Sequence, residues 1–326
     1  MYRILFVPRG VGQNFCGIRR TIYGAKTETT AFRNRRSLGM CRFLGYLGNE
    51  ILLADLISRP ANSLIRQSYK SKERSEPLNG DGFGIGWYSP QVSPDACVFT
   101  SITPAWSNRN LLNLIEHIRS ACFFAHIRAA SPGTAVSELN CHPFRRGRYL
   151  WMHNGTIEGF SSIKRRLRHS LSDEIYDTIE GTTDSEHAFA LFLNLLGEQK
   201  DRFSGTDLAD GLINTIAQLK DWAAAAGVQK PSIYNFAVTD GQSIATVRYV
   251  SDPQIEPISL YFSEPGKFRC DEGKPIGFAC CKDEGGIIVA SEPLTGDREG
   301  WTRVAPNHLV ILDSGLNPKV RLIPNF

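Results

Sequence analysis

Cys41 follows Met40 directly and opens the run Cys41-Arg42-Phe43-Leu44-Gly45-Tyr46. A chain that starts at Cys41, by translation from Met40 or by cleavage after it, carries a thiol and an unblocked α-amine on one residue. Such a residue holds its own nucleophile and base. An α-amine with a reference pKa of about 7.7 and a thiol of about 8.5 exchange a proton almost evenly near neutral pH. An internal Cys41 has an amide nitrogen instead and lacks that base.

Four further segments are rich in polar and glycine residues: Asn79-Gly80-Asp81-Gly82-Phe83-Gly84, His126-Ile127-Arg128, His153-Asn154-Gly155 and Thr183-Asp184-Ser185-Glu186. The glycines at 80, 82, 84 and 86 alternate, which fits neither a dinucleotide fingerprint nor a P-loop, and turn or strand packing explains them equally well. Arg128 ends an apolar run, where it suits a loose salt bridge or a bidentate grip on a substrate carboxylate. Asn154-Gly155 suits a turn, or an amide and an open backbone N–H converging on a tetrahedral oxyanion. Asp184 suits helix capping, or a carboxylate for a substrate ammonium. Together they describe a site for a zwitterionic amino acid joined through an acyl group to a leaving group. His126, His142, His153 and His187 lack zinc-site spacing, so ordinary hydrogen bonding is expected, with no metal and no cofactor. Asn154-Gly155-Thr156 matches a glycosylation acceptor, but a sugar there would block the oxyanion position, and we reject that reading.

The elements that must position these groups follow from hydrophobic spacing. A short helix is expected within Ile51–Ile57, stopped near Arg59-Pro60, and another over Asn110–Ile118. Strands are expected at Phe83–Tyr88, Cys97–Ile102, Cys122–Ile127 and Tyr149–Met152, the last ending at His153-Asn154-Gly155. Helical spacing covers Ser185–Leu196 and Asp207–Ala226. Strands return at Ile233–Val238, Ile244–Tyr249, Ile258–Phe262, Ile276–Cys280, Ile287–Ala290, Leu309–Leu312 and Val320–Ile323. Strands, then helices, then strands, with a hairpin signal at Asp240-Gly241, favour antiparallel sheets covered by helices.

Residues 1–39 hold eight basic side chains and one acid, Glu28; removing them from the chain's 37 basic and 33 acidic residues leaves 29 and 32, a formal charge of −3. The basic character belongs to this leader, so nucleic acid loses its support as a partner. A disordered or targeting leader, a misassigned start and an extra folded element all remain open for residues 1–40. The composition suits a mitochondrial transit peptide and lacks the apolar core of a secretory signal. No stretch is long and apolar enough to suggest a membrane span. Eight scattered cysteines form no disulfide framework, which favours a reducing, cytoplasmic compartment, with a mitochondrial form if the leader is translated.

The order of these pieces resembles a class II glutamine amidotransferase domain over essentially all of residues 41–326. The segments that carry the resemblance are Met40-Cys41-Arg42-Phe43, Asn79 to Gly84, Phe124 to Ala129, Asn140-Cys141-His142-Pro143-Phe144, Met152 to Gly155, Thr183 to Glu186, Phe236 to Gly241 and Ser291 to Thr295. Phe43 with Pro104-Ala105-Trp106, and the run Cys141 to Phe144, particularly resemble the fungal glutathione-degradation branch. The resemblance implies an α+β fold, the four-layer αββα sandwich of N-terminal-nucleophile hydrolases with antiparallel sheets. It implies Cys41 as nucleophile with its α-amine as base, and Asn154 and Gly155 as the oxyanion hole. Arg128 and Asp184 then hold the carboxylate and ammonium of a γ-glutamyl group. Gly80, Asp81, Gly82, His126 and His153 support the site. The implied reaction is cleavage of a γ-glutamyl amide, with glutathione favoured, in a complex with a metallopeptidase-like partner. A glutaminase that feeds ammonia to a separate synthetase, and a nonenzymatic scaffold if Cys41 stays internal, are the alternatives. Two departures stand out: the residues ahead of Cys41, and Ala129 where many glutaminase sites carry an aromatic residue.

Overall fold

The computed structural model describes residues 41–73, 78–130, 134–197, 202–265, 269–271, 274–276, 285–295 and 298–325. The expected leader, residues 1–40, lies outside them, as do residues 277–280 of one expected strand.

The strands are β1 (Arg42–Leu52), β2 (Phe83–Trp87), β3 (Cys97–Ser101), β4 (Arg119–Ile127), β5 (Phe144–Arg146), β6 (Tyr149–Thr156), β7 (Ile233–Thr239), β8 (Ile244–Val250), β9 (Tyr261–Ser263), β10 (Arg269–Asp271), β11 (Lys274–Ile276), β12 (Gly286–Ala290), β13 (Trp301–Arg303), β14 (His308–Leu312) and β15 (Lys319–Leu322). The helices are α1 (Ala54–Ile57), α2 (Leu64–Gln67), α3 (Arg109–Ile115), α4 (Phe160–His169), α5 (Asp173–Tyr176), α6 (Asp184–Leu196) and α7 (Gly205–Ala225). A seven-stranded sheet runs β13-β9-β12-β1-β4-β2-β3 and a six-stranded sheet runs β15-β14-β8-β7-β6-β5, while β10 and β11 form a separate hairpin. The pairings are antiparallel throughout.

Side-chain alternation sorts the core into three layers. Phe43, Leu47, Cys122, Phe124, Leu150, Met152, Ile287 and Val289 fill the space between the two sheets. Their neighbours Leu44, Tyr46, Phe123, Ala125 and Ile288 face the other way, against α1, α2 and α3. Trp151, Phe236, Val238, Val247 and Leu309 cover the outer face of the second sheet, under α4, α6 and α7. Helix, sheet, sheet, helix is the four-layer αββα arrangement that the resemblance implied. Among the described residues no helix is long and apolar enough to cross a membrane.

Several boundaries differ from expectation. Arg42–Leu52 forms the central strand β1, so Ile51 and Leu52 are extended and the expected helix begins at Ala54. His153, Asn154 and Gly155 do not close a strand or make a turn. They continue β6, because β7 supplies partners for them in the register Asn154–Asn235 and Gly155–Tyr234. Helix α4 and strand β13 were not anticipated. The alternating glycines of β2 have a packing cause: a Cβ on Gly84 would sit 2.2 Å from the His142 carbonyl, so the 142–143 segment can lie against the strand.

Candidate active site

Cys41 stands immediately ahead of β1, where the ladder pairs Arg42 with Ile127 of β4 and Phe43 with His126. The thiol is half-buried. Ala129 N–H donates to Sγ at 3.4 Å, and Sγ lies 3.7 Å from the Ala129 carbonyl. The sulfur thus sits between a backbone donor and a backbone acceptor of the same residue.

The segment that bears Ala129 is fixed by the expected loop residues. Asp81 N–H donates to the Arg128 carbonyl at 3.2 Å, Arg128 N–H to Gly82 O at 2.8 Å, and Ala130 N–H to Asp81 Oδ2 at 2.8 Å. Gly82 has φ +117°, which a side chain would strain, and a Cβ there would meet Ser101 O at 2.7 Å. Gly80 adjoins Asp81, with Trp106 beside it. Arg128 itself is buried, and its Nη2 donates to Ala135 O at 3.0 Å. Asn140 Nδ2 donates to that same carbonyl at 3.0 Å and Asn140 Oδ1 accepts from Thr182 N–H at 2.9 Å. Asn140 thus ties the Arg128 loop to the turn ahead of Asp184.

Asn154 projects from β6 into the space between the sheets and is fully buried. Its Nδ2 makes a long 3.5 Å contact to Ser291 Oγ, which also accepts Phe43 N–H at 3.0 Å. Ser291 N–H returns a bond to Phe43 O at 3.0 Å. Next to it, buried Glu292 receives Arg42 Nε at 2.9 Å and Lys72 N–H at 3.0 Å. Burial lowers the Arg42 pKa against the pull of Glu292. Burial also raises Glu292, but Arg42, Ser71 and the backbone donors outweigh it and hold the carboxylate low. Breaking such a buried pair costs about 3–5 kcal/mol. Ser291-Glu292 therefore grips both residues that follow Cys41, and Ser291 also reaches Asn154.

Gly155 is dictated by close strand packing, since a Cβ would lie 2.0 Å from Ile233 O. Asp184 opens α6 but does not cap it; Thr183 does, accepting Glu186 N–H at 3.1 Å. The Asp184 carboxylate instead accepts Ile157 N–H and Ser185 N–H, each at 2.8 Å, at the end of β6. His153 faces the helices: Nε2 donates to Ile233 O at 3.2 Å, and Nδ1 accepts the Ser185 hydroxyl at 2.8 Å. Burial keeps this ring neutral against the opposing pull of Asp184. His126 lies in the inter-sheet layer, its Nε2 3.2 Å from His153 O and its ring 4.2 Å from that of His142. Burial drives His126 down to about 3 and His142 well below its ordinary value, with Arg128 adding to both.

The structure thus gathers Cys41, Asp81, Gly82 and Arg128 in one bonded cluster, with Asn154 joined to it through Ser291 and Phe43. Asp184 and His153 form a second cluster on the helix side, linked to Arg128 through Asn140 and Thr182. Buried polar atoms with no protein partner among the described residues include Asn154 Oδ1, Asn235 Oδ1, His126 Nδ1 and both ring nitrogens of His142. Sequence reasoning gave no role to Ser291, Glu292, Asn140 or Asn235. The signal for Glu292 was a lone acid directly after an apolar strand; Asn235 carried none. Among the described residues, no group of three or more His, Cys, Asp or Glu residues is placed to hold a metal ion.

Comparison with known proteins gives a consistent result. The chain is 40% identical over 299 residues to the probable glutamine amidotransferase DUG3 of Saccharomyces cerevisiae, covering 84% of this chain and 82% of that one. It is 30% identical over 120 residues to the gamma-glutamyl-hercynylcysteine sulfoxide hydrolase of Mycobacterium tuberculosis, covering 36% of this chain and 50% of that one. A glutamine aminotransferase class-II domain protein from Silicibacter pomeroyi superposes with a TM-score of 0.59 at 26% identity, covering 87% of this chain and all (100%) of that one. The glutamine phosphoribosylpyrophosphate amidotransferase of B. subtilis shares the fold, with a TM-score of 0.56 at 16% identity, over 87% of this chain and 49% of that one. The family model described as glutamine amidotransferases class-II matches residues 52–323, and the chain belongs to that family.

Proposed function

We propose that this chain hydrolyses γ-glutamyl amide bonds with Cys41 as nucleophile, and that glutathione is its substrate. The observation that carries the reading is the Cys41 thiol, which receives a backbone N–H from the residue after Arg128 while Asn154 is tied to the same strand through Ser291. In this scheme the Cys41 α-amine takes the thiol proton, and sulfur attacks the γ-carbonyl. Asn154 and the Gly155 N–H stabilise the oxyanion, and the carbon–nitrogen bond breaks as the amine leaves with the proton. Water then cleaves the thioester and releases glutamate. Arg128 and Asp184 hold the α-carboxylate and α-ammonium, the two charged groups on the glutamyl α-carbon. The α-amine requires a chain that begins at Cys41, so we place the working domain at 41–326 and treat residues 1–40 as removed or untranslated.

Glutathione is favoured over glutamine by the resemblance to the fungal branch. The M. tuberculosis relative is named for a γ-glutamyl compound whose leaving group far exceeds ammonia in size. A metallopeptidase-like partner completes the proposed complex. The test is turnover by the chain initiated at Met40, with and without that partner, on glutathione and on glutamine. Glutamate and cysteinylglycine released from glutathione support the reading. Ammonia from glutamine with glutathione untouched transfers the chain to the glutaminase alternative. No turnover by protein proven to start at Cys41 rejects the mechanism.

A further inference from the structure

Helix α4 concentrates positive charge, with Lys164, Arg165, Arg166 and Arg168 within ten residues. Lys164, Arg165, Arg168 and His169 line a cavity of about 590 Å³ bounded by α4 and α5, with Tyr176 also in its wall and Asp173 as its acidic member. Lys164, Arg165 and Arg168 have no ion-pair partner among the described residues. Charged faces of helices are usually just solvated. Here one side chain is built in.

Arg168 Nε donates to His187 Nε2 at 3.0 Å, and its guanidinium carbon lies 5.7 Å from the Tyr176 ring centre. The acceptor is itself fixed. His187 is fully buried, and its Nδ1 donates to Thr183 O at 2.7 Å, so the Nε2 lone pair must point at Arg168. Burial, opposed by the Thr183 bond and assisted by Lys164 and Arg168, brings His187 down to about 4, which keeps the ring neutral. Both terminal amino groups of Arg168 have no protein partner among the described residues. A guanidinium ordered at one edge and open at the other is a prepared fork for an oxyanion. Lys164 sits one turn away, and after burial Arg168 is the next cause that lowers its pKa. That repulsion is relieved when an anion lies between them. Asp173 in the lining and Glu186 nearby offset only part of a fork plus three neighbouring bases; a phosphate group carries nearly two charges and three acceptor oxygens.

We propose that this cavity binds a small phosphate-bearing anion through the Arg168 fork and Lys164, at a site separate from the Cys41 cluster. The probe is inorganic pyrophosphate, titrated calorimetrically into the full chain at low ionic strength, with a nucleoside diphosphate as a second arm. The expected result is saturable one-to-one binding, weakened at least tenfold in Arg168→Gln and in Lys164→Gln. Arg168→Lys, which keeps charge and loses the fork, should fall between. Arg166→Gln removes the same charge from a side chain packed over Trp222 at 5.6 Å, outside the cavity, and should stay within twofold of the parent. Tighter binding of the nucleotide identifies a nucleotide source, with Tyr176 stacking on the base; equal binding identifies free phosphate. Absence of saturable binding, or equal losses in Arg166→Gln and Lys164→Gln, overturns the proposal. Lys164→Gln leaves the His187 anchor intact and serves should Arg168→Gln misfold.

Discussion

Two thiols lie along one strand pair. Cys122 on β4 faces Leu47 of β1 within the ladder, while Cys41 stands beyond its end, past the Arg42–Ile127 pair. Cys122 is 1% exposed, packed among apolar side chains of the inter-sheet layer with Thr239 Oγ1 3.4 Å from its sulfur, and burial pushes it up to about 12. Cys41 has a backbone N–H on its sulfur and a buried arginine one residue further along the facing segment. Residue type is shared and the layer is shared. What differs is the lining: methyls and rings surround Cys122, while a backbone donor and a buried arginine lie beside Cys41.

Substitutions at the two thiols should therefore separate activity from stability. Cys41→Ala should cut γ-glutamyl turnover by about 10⁴-fold or more and leave the denaturation midpoint nearly unchanged, since it deletes a nucleophile but little packing. Retained turnover would remove Cys41 from the chemistry. The next effect is on stability. His126 and His142 are neutral when folded but titrate near 6.5 when unfolded, so the unfolded chain binds more protons below that pH. Stability should be fullest above about pH 6.5 and fall as pH drops toward 3, with a lower denaturation midpoint at pH 5 than at pH 7. Denaturant titrations at those two pH values measure this; equal midpoints would show that the rings are not buried in neutral form. Asn154→Ala should lower kcat by about 10²–10³-fold, the loss typical of one oxyanion donor. A change confined to KM would move Asn154 to substrate binding. Arg128→Lys exchanges a fork for a point charge and should raise KM by roughly 10- to 100-fold with a smaller change in kcat. Cys122→Ala should do the reverse of Cys41→Ala, costing about 1–2 kcal/mol of stability at unchanged kcat/KM.

Much of the sandwich was legible because one-sided burial leaves a pattern. Cys122–Ile127 and Ile287–Ala290 read as strands and are strands; Ser185–Leu196 and Asp207–Ala226 read as helices and are helices within a residue or two. The central strand was not legible. Arg42 to Leu47 is buried on both faces, so period-two alternation vanishes, and a buried arginine argues against the core. Helix α4 was missed for the opposite reason: Ile163 and Leu167 are its buried residues, set among basic ones. His153-Asn154-Gly155 has the composition of a turn, and only pairing with β7 makes it strand. At the candidate site, Cys41, Arg128 and Asn154 were singled out by residue type and neighbours, and the fold links them through Ala129, Phe43 and Ser291. Ser291 and Glu292 act on residues about 250 positions away, as in the Arg42–Glu292 pair separated by 250, and local spacing carries no trace of that.

The most direct test is covalent. Protein purified from its native cells is treated with a γ-glutamyl diazoketone, then digested, and mass spectrometry maps both the modified residue and the N-terminus. Cys41 as nucleophile and its own base predicts a single adduct on Cys41 sulfur, in chains that begin with Cys41. Chains that begin upstream and carry no adduct there, or an adduct on Cys122 or Cys141, would contradict it.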